Sequence, residues 1–392
     1  MNRWPVATYT MTSALGRGTQ AHAGALRSGH SGLRLQRFET AQFDAWLGLV
    51  DGVDEVALPG PLSAFDCRNN RLAWMSLQTD GFAEAVQAAA ARHGAHRIGV
   101  FIGTSTSGIL QTELAYRERD PVTGALPSWH HYPHSHNTAS VARFTQQALG
   151  LAGPAWAVST ACSSGAKVFG AAARLLALGV IDAAVVGGVD SLCLTTLYGF
   201  NSLELLSPDV CRPWDGSRKG LSLGEAAAFA LMERDSQAPA AWLLGVGESS
   251  DGYHMSTPLP DGAGAAAAMR QALGQAGLDS VDYLNLHGTA TPNNDSAEDQ
   301  AVRAVMGADT PCSSTKGATG HTLGAAGALE AGLSMLVLQQ GWMPGGTTLQ
   351  SRDPQLTANY LAEGRAASLR TVASNSFGFG GSNACLVFGA AA

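Results

Sequence analysis

The sequence is poor in charged residues and has no excess of basic ones. Only 14% of its 392 residues are charged whereas 45% are apolar, which excludes a disordered chain. A net charge of −7 also excludes a bulk basic field that would attract nucleic acid or an anionic membrane. We therefore expect a compact globular protein without nucleic-acid partners, and an acidic partner would have to dock on a local basic patch.

Cysteines and long apolar runs are also scarce. The six cysteines form no CxxC pair and no dense framework, which is typical of free thiols in a reducing cytosol. The apolar stretch 329–338 is interrupted by Glu330 and is too short to span a bilayer. Residues 1–6 lack a basic segment followed by a long apolar one, so we expect no signal peptide. The sequence predicts a soluble, cytoplasmic protein.

Short apolar segments alternate with helical ones along the chain, a pattern that predicts an α/β fold with buried sheets. Predicted strands cover residues 6–12, 97–102, 155–159, 181–189, 281–287, 371–376 and 383–388. Predicted helices cover residues 20–26, 163–178, 265–276, 295–306 and 324–339, with Asn294 or Asp295 capping the fourth. The two halves share a similar order of elements but no clear sequence repeat. Residues 236–239 are the best candidate for a boundary between them.

Cys162 lies between a predicted buried strand and a predicted helix, in Val-Ser-Thr-Ala-Cys-Ser-Ser-Gly. The unpaired N–H groups and the positive dipole end of that helix favour the thiolate. The thiol is therefore expected to be a nucleophile near neutral pH without a dedicated base. A buried structural cysteine is the alternative, and spacing alone does not decide between the two.

Two histidines and a glycine-rich turn accompany this cysteine. His287 ends a predicted strand in Leu-His-Gly-Thr-Ala-Thr-Pro, and His321 precedes a helix in Lys-Gly-Ala-Thr-Gly-His. Taken alone, each is first interpreted as a hydrogen-bonded core histidine, but together they offer two N–H donors to an oxyanion. The segment Asn-Ser-Phe-Gly-Phe-Gly-Gly-Ser-Asn, at 375–383, brings backbone N–H groups close to a ligand or is a plain hairpin.

Taken together, these four segments resemble the β-ketoacyl-acyl carrier protein synthases, condensing enzymes with the thiolase fold. The matching motifs are Ser-Thr-Ala-Cys-Ser-Ser-Gly, His-Gly-Thr-x-Thr, Lys-x-x-x-Gly-His-x-x-Gly-Ala-Ala-Gly and Phe-Gly-Phe-Gly-Gly-Ser-Asn. Segments 12–16, 187–190, 199–200 and 211–215 also follow in family order, so the resemblance covers the whole chain. It implies a thiolase-like α/β fold of two βαβ-rich halves, layered α-β-α-β-α, with residues 1–239 carrying Cys162 and residues 240–392 carrying both histidines.

The resemblance implies a decarboxylative Claisen condensation that needs no cofactor and no metal. Cys162 would take an acyl group from an acyl carrier protein, with the N–H groups of Cys162 and Phe379 as oxyanion hole. His287 and His321 would hold the carbonyl of malonyl-carrier protein and stabilise the enolate that remains when CO₂ leaves. The acyl chain would grow by two carbons.

The resemblance assigns further roles by position. Lys316 and Glu330 correspond to a family ion pair, for which we expect a structural and electrostatic role, with Glu330 beside the substrate. Phe379 matches the gate of the acyl pocket, and Thr289, Thr291 and Phe377 match positions that contact substrate. Docking of the acidic carrier protein is predicted at Arg68, Arg71 and Arg212, although ordinary solvated arginines explain each of them equally well.

Some positions depart from the housekeeping enzymes of the family. Lys167 stands where a histidine or small residue is usual, Lys219 replaces an acidic residue, and Thr-Ser-Thr-Ser at 104–107 lacks a glycine. Ala-Lys-Val-Phe at 166–169 is similar to synthases of bacterial aryl-polyene pigments, which implies a conjugated or aryl-primed chain. The cluster His130, His131, His134 and His136 fits no standard metal spacing, so a polar loop near the pocket or at a dimer contact is expected.

Alternative functions are less well supported by these motifs. A non-catalytic chain-length factor usually lacks the nucleophile that Cys162 provides. A thiolase needs a second cysteine in a Cys-Gly-Gly-Gly-type segment, whereas Cys385 follows Ser-Asn-Ala. An initiating synthase carries one histidine and an asparagine. Family members are dimers, so we expect a homodimer or a heterodimer with a paralogous ketosynthase.

Overall fold

The structure is a computed structural model that describes residues 3–236 and 238–391. Its strands are β1 (Trp4–Ser13), β2 (Gly16–Arg17), β3 (Arg34–Gln36), β4 (Ala45–Gly48), β5 (Ile98–Gly103), β6 (Ala155–Val158), β7 (Ala183–Asp190), β8 (Leu223–Gly224), β9 (Ala226–Glu233), β10 (Ala241–Ser250), β11 (Tyr283–Asn285), β12 (Cys312–Ser313), β13 (Trp342–Met343), β14 (Arg365–Ala366), β15 (Thr371–Gly378) and β16 (Ser382–Ala390). Its helices are α1 (Gly18–Ser28), α2 (Arg68–Leu77), α3 (Phe82–His93), α4 (Ile109–Arg117), α5 (Ser140–Ala148), α6 (Ser164–Ala177), α7 (Leu194–Ser202), α8 (Ala263–Ala276), α9 (Pro292–Met306), α10 (Lys316–Thr319) and α11 (Ala326–Gln340).

The main sheet consists of two sets of strands with the same topology. The N-terminal set has the order β6-β5-β7-β9-β1, and the C-terminal set has the order β12-β11-β15-β16-β10. In both sets three parallel strands are followed by two antiparallel ones. Antiparallel pairing of β1 with β10, such as Val6 with Ala241, joins the sets. The two halves therefore repeat one topology, although their sequences show only a similar order of elements.

Side chains on the two faces of each set of strands enter different cores. In β7, Ala184 and Val186 enter a central core between the two sets, while Ala183 and Val185 face an outer core. Helices α6 and α11 fill the central core, α2, α3 and α5 cover the outer N-terminal face, and α8 and α9 cover the outer C-terminal face. This alternation explains why the strands are apolar on both sides. The predicted α-β-α-β-α layering of a thiolase-like fold is confirmed.

Helices α6 and α11 contact each other in the central layer through glycine. A Cβ atom placed on Gly327 would lie 2.5 Å from the backbone nitrogen of Ala166, and one on Gly165 would lie 2.7 Å from that of Ala328. The two backbones can approach this closely only because neither glycine has a side chain. This contact brings the start of α6, which follows Cys162, beside the start of α11, which follows His321.

Each strand and helix predicted from the sequence has a counterpart, with shifted ends. Helix α9 begins at Pro292, because proline suits the first helical position, so Asn294 and Asp295 lie inside the helix and do not cap it. Asp295 instead accepts hydrogen bonds from the backbone N–H groups of Trp214 and Ala290.

A 3₁₀ turn, Leu323–Ala325, precedes α11. The predicted boundary at 236–239 falls between β9 and β10 and stays a prediction; its residue 237 lies outside the described residues.

No helix in the described part of the chain has the length and apolar content needed to cross a bilayer. The six cysteines are buried and unpaired with one another.

We predict that Gly327→Ala lowers the free energy of unfolding by about 1–3 kcal/mol, because the added methyl group would overpack the contact between α6 and α11. Chemical denaturation followed by circular dichroism measures this loss. Gly274→Ala in α8 is the matched control: no atom lies within 4 Å of its added Cβ, so it should be neutral or stabilising. Equal stability of the two variants would contradict the proposed close packing.

Candidate active site

A cavity of about 350 Å³ is lined by residues of both halves. Cys162 comes from the N-terminal half, while His287, His321 and Phe379 come from the C-terminal half. Apolar walls are provided by Phe200, Leu203, Leu205 and Leu221. The four segments that the sequence singled out therefore converge on one cavity.

Cys162 lies in a tight turn between β6 and α6. The preceding Ala161 has a φ of 50°, in the left-handed region that residues with a Cβ rarely adopt. The Cys162 sulfur lies beside the N-terminus of α6, 3.0 Å from Nε2 of His321. The imidazole rings of His287 and His321 meet edge to face with 5.3 Å between their centroids. One thiol and two imidazoles thus share the site.

Burial opposes the thiolate that the sequence leads us to expect at Cys162. It raises the pKa of Cys162 to about 12, outweighing the favourable effects of Lys316 and of the Phe379 N–H hydrogen bond. A thiolate without a dedicated base stays a prediction. Burial also holds the pKa of His321 well below its usual range, so its neutral ring can accept the thiol proton through Nε2.

Lys316 determines which nitrogen of His287 carries the proton. Its Nζ lies 3.4 Å from Nδ1 of His287 and also pairs with Glu330. An ammonium group can only donate, so Nδ1 must accept and Nε2 keeps the ring proton. Burial, and then the Lys316 charge, hold the pKa of His287 well below its usual range. His287 is therefore a neutral N–H donor.

The phenylalanine turn packs directly against the cysteine turn. A Cβ on Gly378 would lie 2.7 Å from the carbonyl oxygen of Thr160 and 3.1 Å from the backbone nitrogen of Cys162, so glycine is required there. The Phe379 ring lies 5.5 Å from that of Phe200, at the apolar wall. The Phe377 ring lies 5.5 Å from that of His287. The turn thus contributes a backbone donor near the sulfur and two aromatic walls.

Polar residues of the cavity include Thr289 and Thr291. Their hydroxyl groups lie 2.8 Å apart, and both side chains line the cavity. The arrangement provides a nucleophile with a neutral base, a fixed N–H donor and hydroxyl groups for an extended polar ligand. This combination suits acyl transfer followed by reaction at a second carbonyl.

Comparisons with known proteins agree with this chemistry. Residues 64–238 match the beta-ketoacyl synthase N-terminal domain, and residues 240–350 match the corresponding C-terminal domain. The chain is 33% identical to 3-oxoacyl-[acyl-carrier-protein] synthase 2 of Vibrio cholerae, with 96% of each chain covered. It belongs to the β-ketoacyl synthase family.

Solved structures support the same assignment. A ketosynthase, ApeO, in complex with its chain length factor, ApeC, from Xenorhabdus doucetiae, is 38% identical, with a TM-score of 0.90, covering 99% of this chain and 98% of that one. A beta-ketoacyl synthase from Burkholderia phymatum is 28% identical, with a TM-score of 0.88 and full coverage of both chains. This β-ketoacyl synthase is accordingly a carbon–carbon bond-forming acyltransferase.

The arginines predicted to dock the carrier protein have different environments. Arg68 is 9% exposed and forms ion pairs with Glu225, at 2.6 Å, and with Asp54. Its prediction as a docking residue is corrected, because its charge is buried and already paired. Arg71 pairs with Asp66 and is only partly buried, and Arg212 is half-buried. For these two, docking stays a prediction.

Sequence reasoning missed Glu298, which holds the His287 segment. Its carboxylate accepts hydrogen bonds of 2.8 Å from the backbone N–H groups of His287 and Gly288, and one of 3.0 Å from Asn375. Burial raises its pKa to about 7. An acidic residue among the apolar positions of the helix that follows His-Gly-Thr-x-Thr was the available signal.

Asp190 fixes the other unusual segment. It accepts hydrogen bonds from Thr104, Ser105 and Thr106, and also from the backbone N–H of Gly324, three residues after His321. The side-chain hydroxyl groups of Thr104, Ser105 and Thr106 thus serve as partners of a buried carboxylate. Lys219, by contrast, is exposed and lies 3.4 Å from Asp209.

The histidine cluster has a local structural explanation. His130 Nε2 and His136 Nδ1 each lie 2.9 Å from the Thr112 hydroxyl, and the rings of His131 and His134 meet edge to face. Within residues 3–236 and 238–391, no group of three or more acidic, histidine or cysteine side chains is placed to hold a metal ion. A role of this loop in a dimer contact stays a prediction.

We predict that alkylation of Cys162 by iodoacetamide accelerates about tenfold per pH unit between pH 7 and pH 10, because the buried thiol stays largely protonated over that range. Intact-mass spectrometry at several pH values measures the rate, with Cys162→Ala correcting for the other cysteines. A rate that levels off below pH 8 would instead support the thiolate expected from the helix N-terminus alone.

Proposed function

We propose that this β-ketoacyl synthase loads an acyl chain onto Cys162 and extends it with malonyl-acyl carrier protein. In this proposal His321 is the base for Cys162, and both His287 and His321 stabilise the enolate. The observation that carries the proposal is the 3.0 Å contact between the Cys162 sulfur and His321 Nε2, in a cavity that His287 also lines. The 3-oxoacyl-[acyl-carrier-protein] synthases among its relatives support carrier-protein thioesters as substrates.

The first half-reaction transfers the acyl group. His321 takes the proton of Cys162, the sulfur attacks the thioester carbonyl, and the N–H groups of Cys162 and Phe379 stabilise the oxyanion. The bond to the carrier thiol then breaks, and His321 returns the proton to that thiol. A neutral imidazole serves this shuttle because it accepts and releases one proton without leaving a buried charge.

The second half-reaction forms the carbon–carbon bond. The carboxylate of the malonyl thioester leaves as CO₂, and the electron pair passes to an enolate whose oxygen accepts a hydrogen bond from Nε2–H of His287. His321 is neutral again after acyl transfer, and it donates the second hydrogen bond once its ring proton is on Nε2. The enolate carbon attacks the acyl carbonyl, the ketone forms as the Cys162 thiolate leaves, and the thiolate takes up one proton from solvent. Lys316, paired with Glu330, keeps the donor proton of His287 on Nε2.

Substrate contacts are proposed for the rest of the cavity. Thr289 and Thr291 face the amides of the pantetheine arm, while Phe377 and Phe379 border the acyl chain. Arg71 and Arg212 are the proposed contacts to the acidic carrier protein. A conjugated or aryl-primed acyl chain is proposed from the resemblance of residues 166–169 to aryl-polyene synthases.

A paralogous chain length factor is the proposed partner subunit, in line with the ketosynthase–chain length factor complex of Xenorhabdus doucetiae. Strand β6 lies at an open edge of the main sheet, and Trp156 on it is 40% exposed. An open edge offers unpaired backbone groups to a neighbouring chain. Free, buried cysteines are in keeping with a cytoplasmic location, which is also part of the proposal.

We predict that the two histidines fail at different steps. His321→Ala should slow acylation of Cys162, because the thiol loses its base, whereas His287→Ala should acylate normally and fail to condense. Each affected step should slow by about 10²–10³-fold, the usual effect of losing one catalytic donor.

Intact mass after incubation with a panel of saturated and polyunsaturated acyl-carrier proteins measures acylation, and product formation with malonyl-carrier protein measures condensation. Cys162→Ala is the control and should do neither. Near-normal condensation by either histidine variant would refute its assigned role, and a wild-type protein that never becomes acylated would refute the function.

We also predict that Trp156→Glu weakens subunit association, because the new charge would lie in the contact along β6. Mass photometry of the protein, alone and with a co-expressed chain length factor, measures the dimer fraction. The matched control is Tyr116→Glu, an exposed aromatic residue of α4, outside strand β6. Equal dimer fractions for Trp156→Glu and the unaltered protein would place the interface elsewhere.

A further inference from the structure

Lys167 lies in the first turn of the helix that follows Cys162. The chain has three lysines, and this one is on α6, five residues after Cys162. Helical side chains tilt towards the helix N-terminus, so Lys167 extends back over the first turn of α6. Its Nζ donates a hydrogen bond of 2.7 Å to the Ser382 hydroxyl group.

Ser382 connects this lysine to the phenylalanine turn. It is the first residue of β16 and immediately follows the segment Phe379–Gly381. Its hydroxyl oxygen also lies 3.2 Å from that of the buried Ser163, which precedes α6. The chain Lys167–Ser382–Ser163 therefore joins the end of the phenylalanine turn to the residue next to Cys162.

This polar bridge complements the glycine contact on the other side of the turn. Gly378 lets the turn approach the backbone of Thr160 and Cys162, but a glycine contact only permits that approach. Directional hydrogen bonds are needed to hold the turn at one position. At the far end, backbone hydrogen bonds join Gly380 to Met255 and Gly381 to Asp251, and both glycines have positive φ. The bridge adds the hydrogen bonds that hold this end towards α6.

No carboxylate competes for this lysine at ion-pair distance in the described residues. The nearby Glu248 forms an ion pair of 3.0 Å with Arg174. Among the described residues, Lys167 has no carboxylate within 4.0 Å. Burial lowers the pKa of Lys167, opposed by the charge of Glu248. A half-buried ammonium group bonded to one hydroxyl group is unlike a solvated surface lysine, because each lost water contact must be offset by a specific partner.

We infer that Lys167 is a positioning residue for acyl transfer: through Ser382 it holds the Phe379 turn against the start of α6, so that the backbone N–H groups of Cys162 and Phe379 converge on one oxygen atom. The inference rests on the proposed function, since that oxygen belongs to the acyl thioester. Lys167 touches no substrate in this scheme. Its loss should impair the use of an oxyanion hole far more than the reactivity of the thiol, to which the Phe379 N–H contributes only one of several effects.

The test compares two reactions of Cys162. Acylation by an N-acetylcysteamine thioester passes through an oxyanion, whereas alkylation by iodoacetamide does not, and neither reagent needs carrier-protein docking. Lys167→Met should slow acylation by about 10- to 100-fold, the scale expected for a displaced donor, and should slow alkylation far less. Ser382→Ala should reproduce this split, and Lys167→Arg should restore part of the acylation rate.

Lys219→Met is the matched control, because it removes the exposed lysine outside the site and should acylate like the unaltered protein. The double variant of Lys167→Met and Ser382→Ala should be no slower than either single one if both act through one bridge. Unchanged acylation in Ser382→Ala overturns the inference even if Lys167→Met fails to fold. Equal loss of acylation and alkylation also overturns it. Absence of acylation in the unaltered protein would instead refute the proposed function.

Discussion

Two helices pack so closely at their N-termini that their backbones touch, and this contact positions the residues of the cavity. Gly165 and Gly327 allow α6 and α11 to touch backbone to backbone in the central layer. Because Cys162 precedes one helix and His321 precedes the other, this contact brings a thiol and an imidazole from opposite halves to 3.0 Å. The repeated topology thus produces a contact between thiol and imidazole that neither half contains alone.

Burial then gives the site its chemical character. Removal from water raises the pKa of the thiol and lowers the pKa of both imidazoles, so the resting site holds neutral groups that exchange protons over short distances. Lys316 is the buried charge among them, and Glu330 stabilises it. Its position beside Nδ1 of His287 orients that ring, which shows how a charge that touches no substrate can still define a donor.

Much of the fold and of the site could be predicted from residue patterns. Alternation of apolar strands and helices indicated the α/β class, and four motifs indicated the residues that converge on the cavity. The role of Glu298 was not predicted, because in the sequence it looks like any acidic residue of a helix. Its hydrogen bonds to the backbone of His287 and Gly288 are visible only in the structure. Arg68 was misjudged because its buried partner, Glu225, lies 157 residues away in the sequence.

Residue type and local spacing were enough to predict the family, Cys162, the two histidines and the glycines that permit tight turns. The contact of His321 with Cys162, the position of Lys316 beside His287 and the partner of Lys167 became known from the three-dimensional structure. Those properties depend on burial and on distances between segments that lie far apart in the chain. Neither burial nor such distances can be read from a short stretch of sequence.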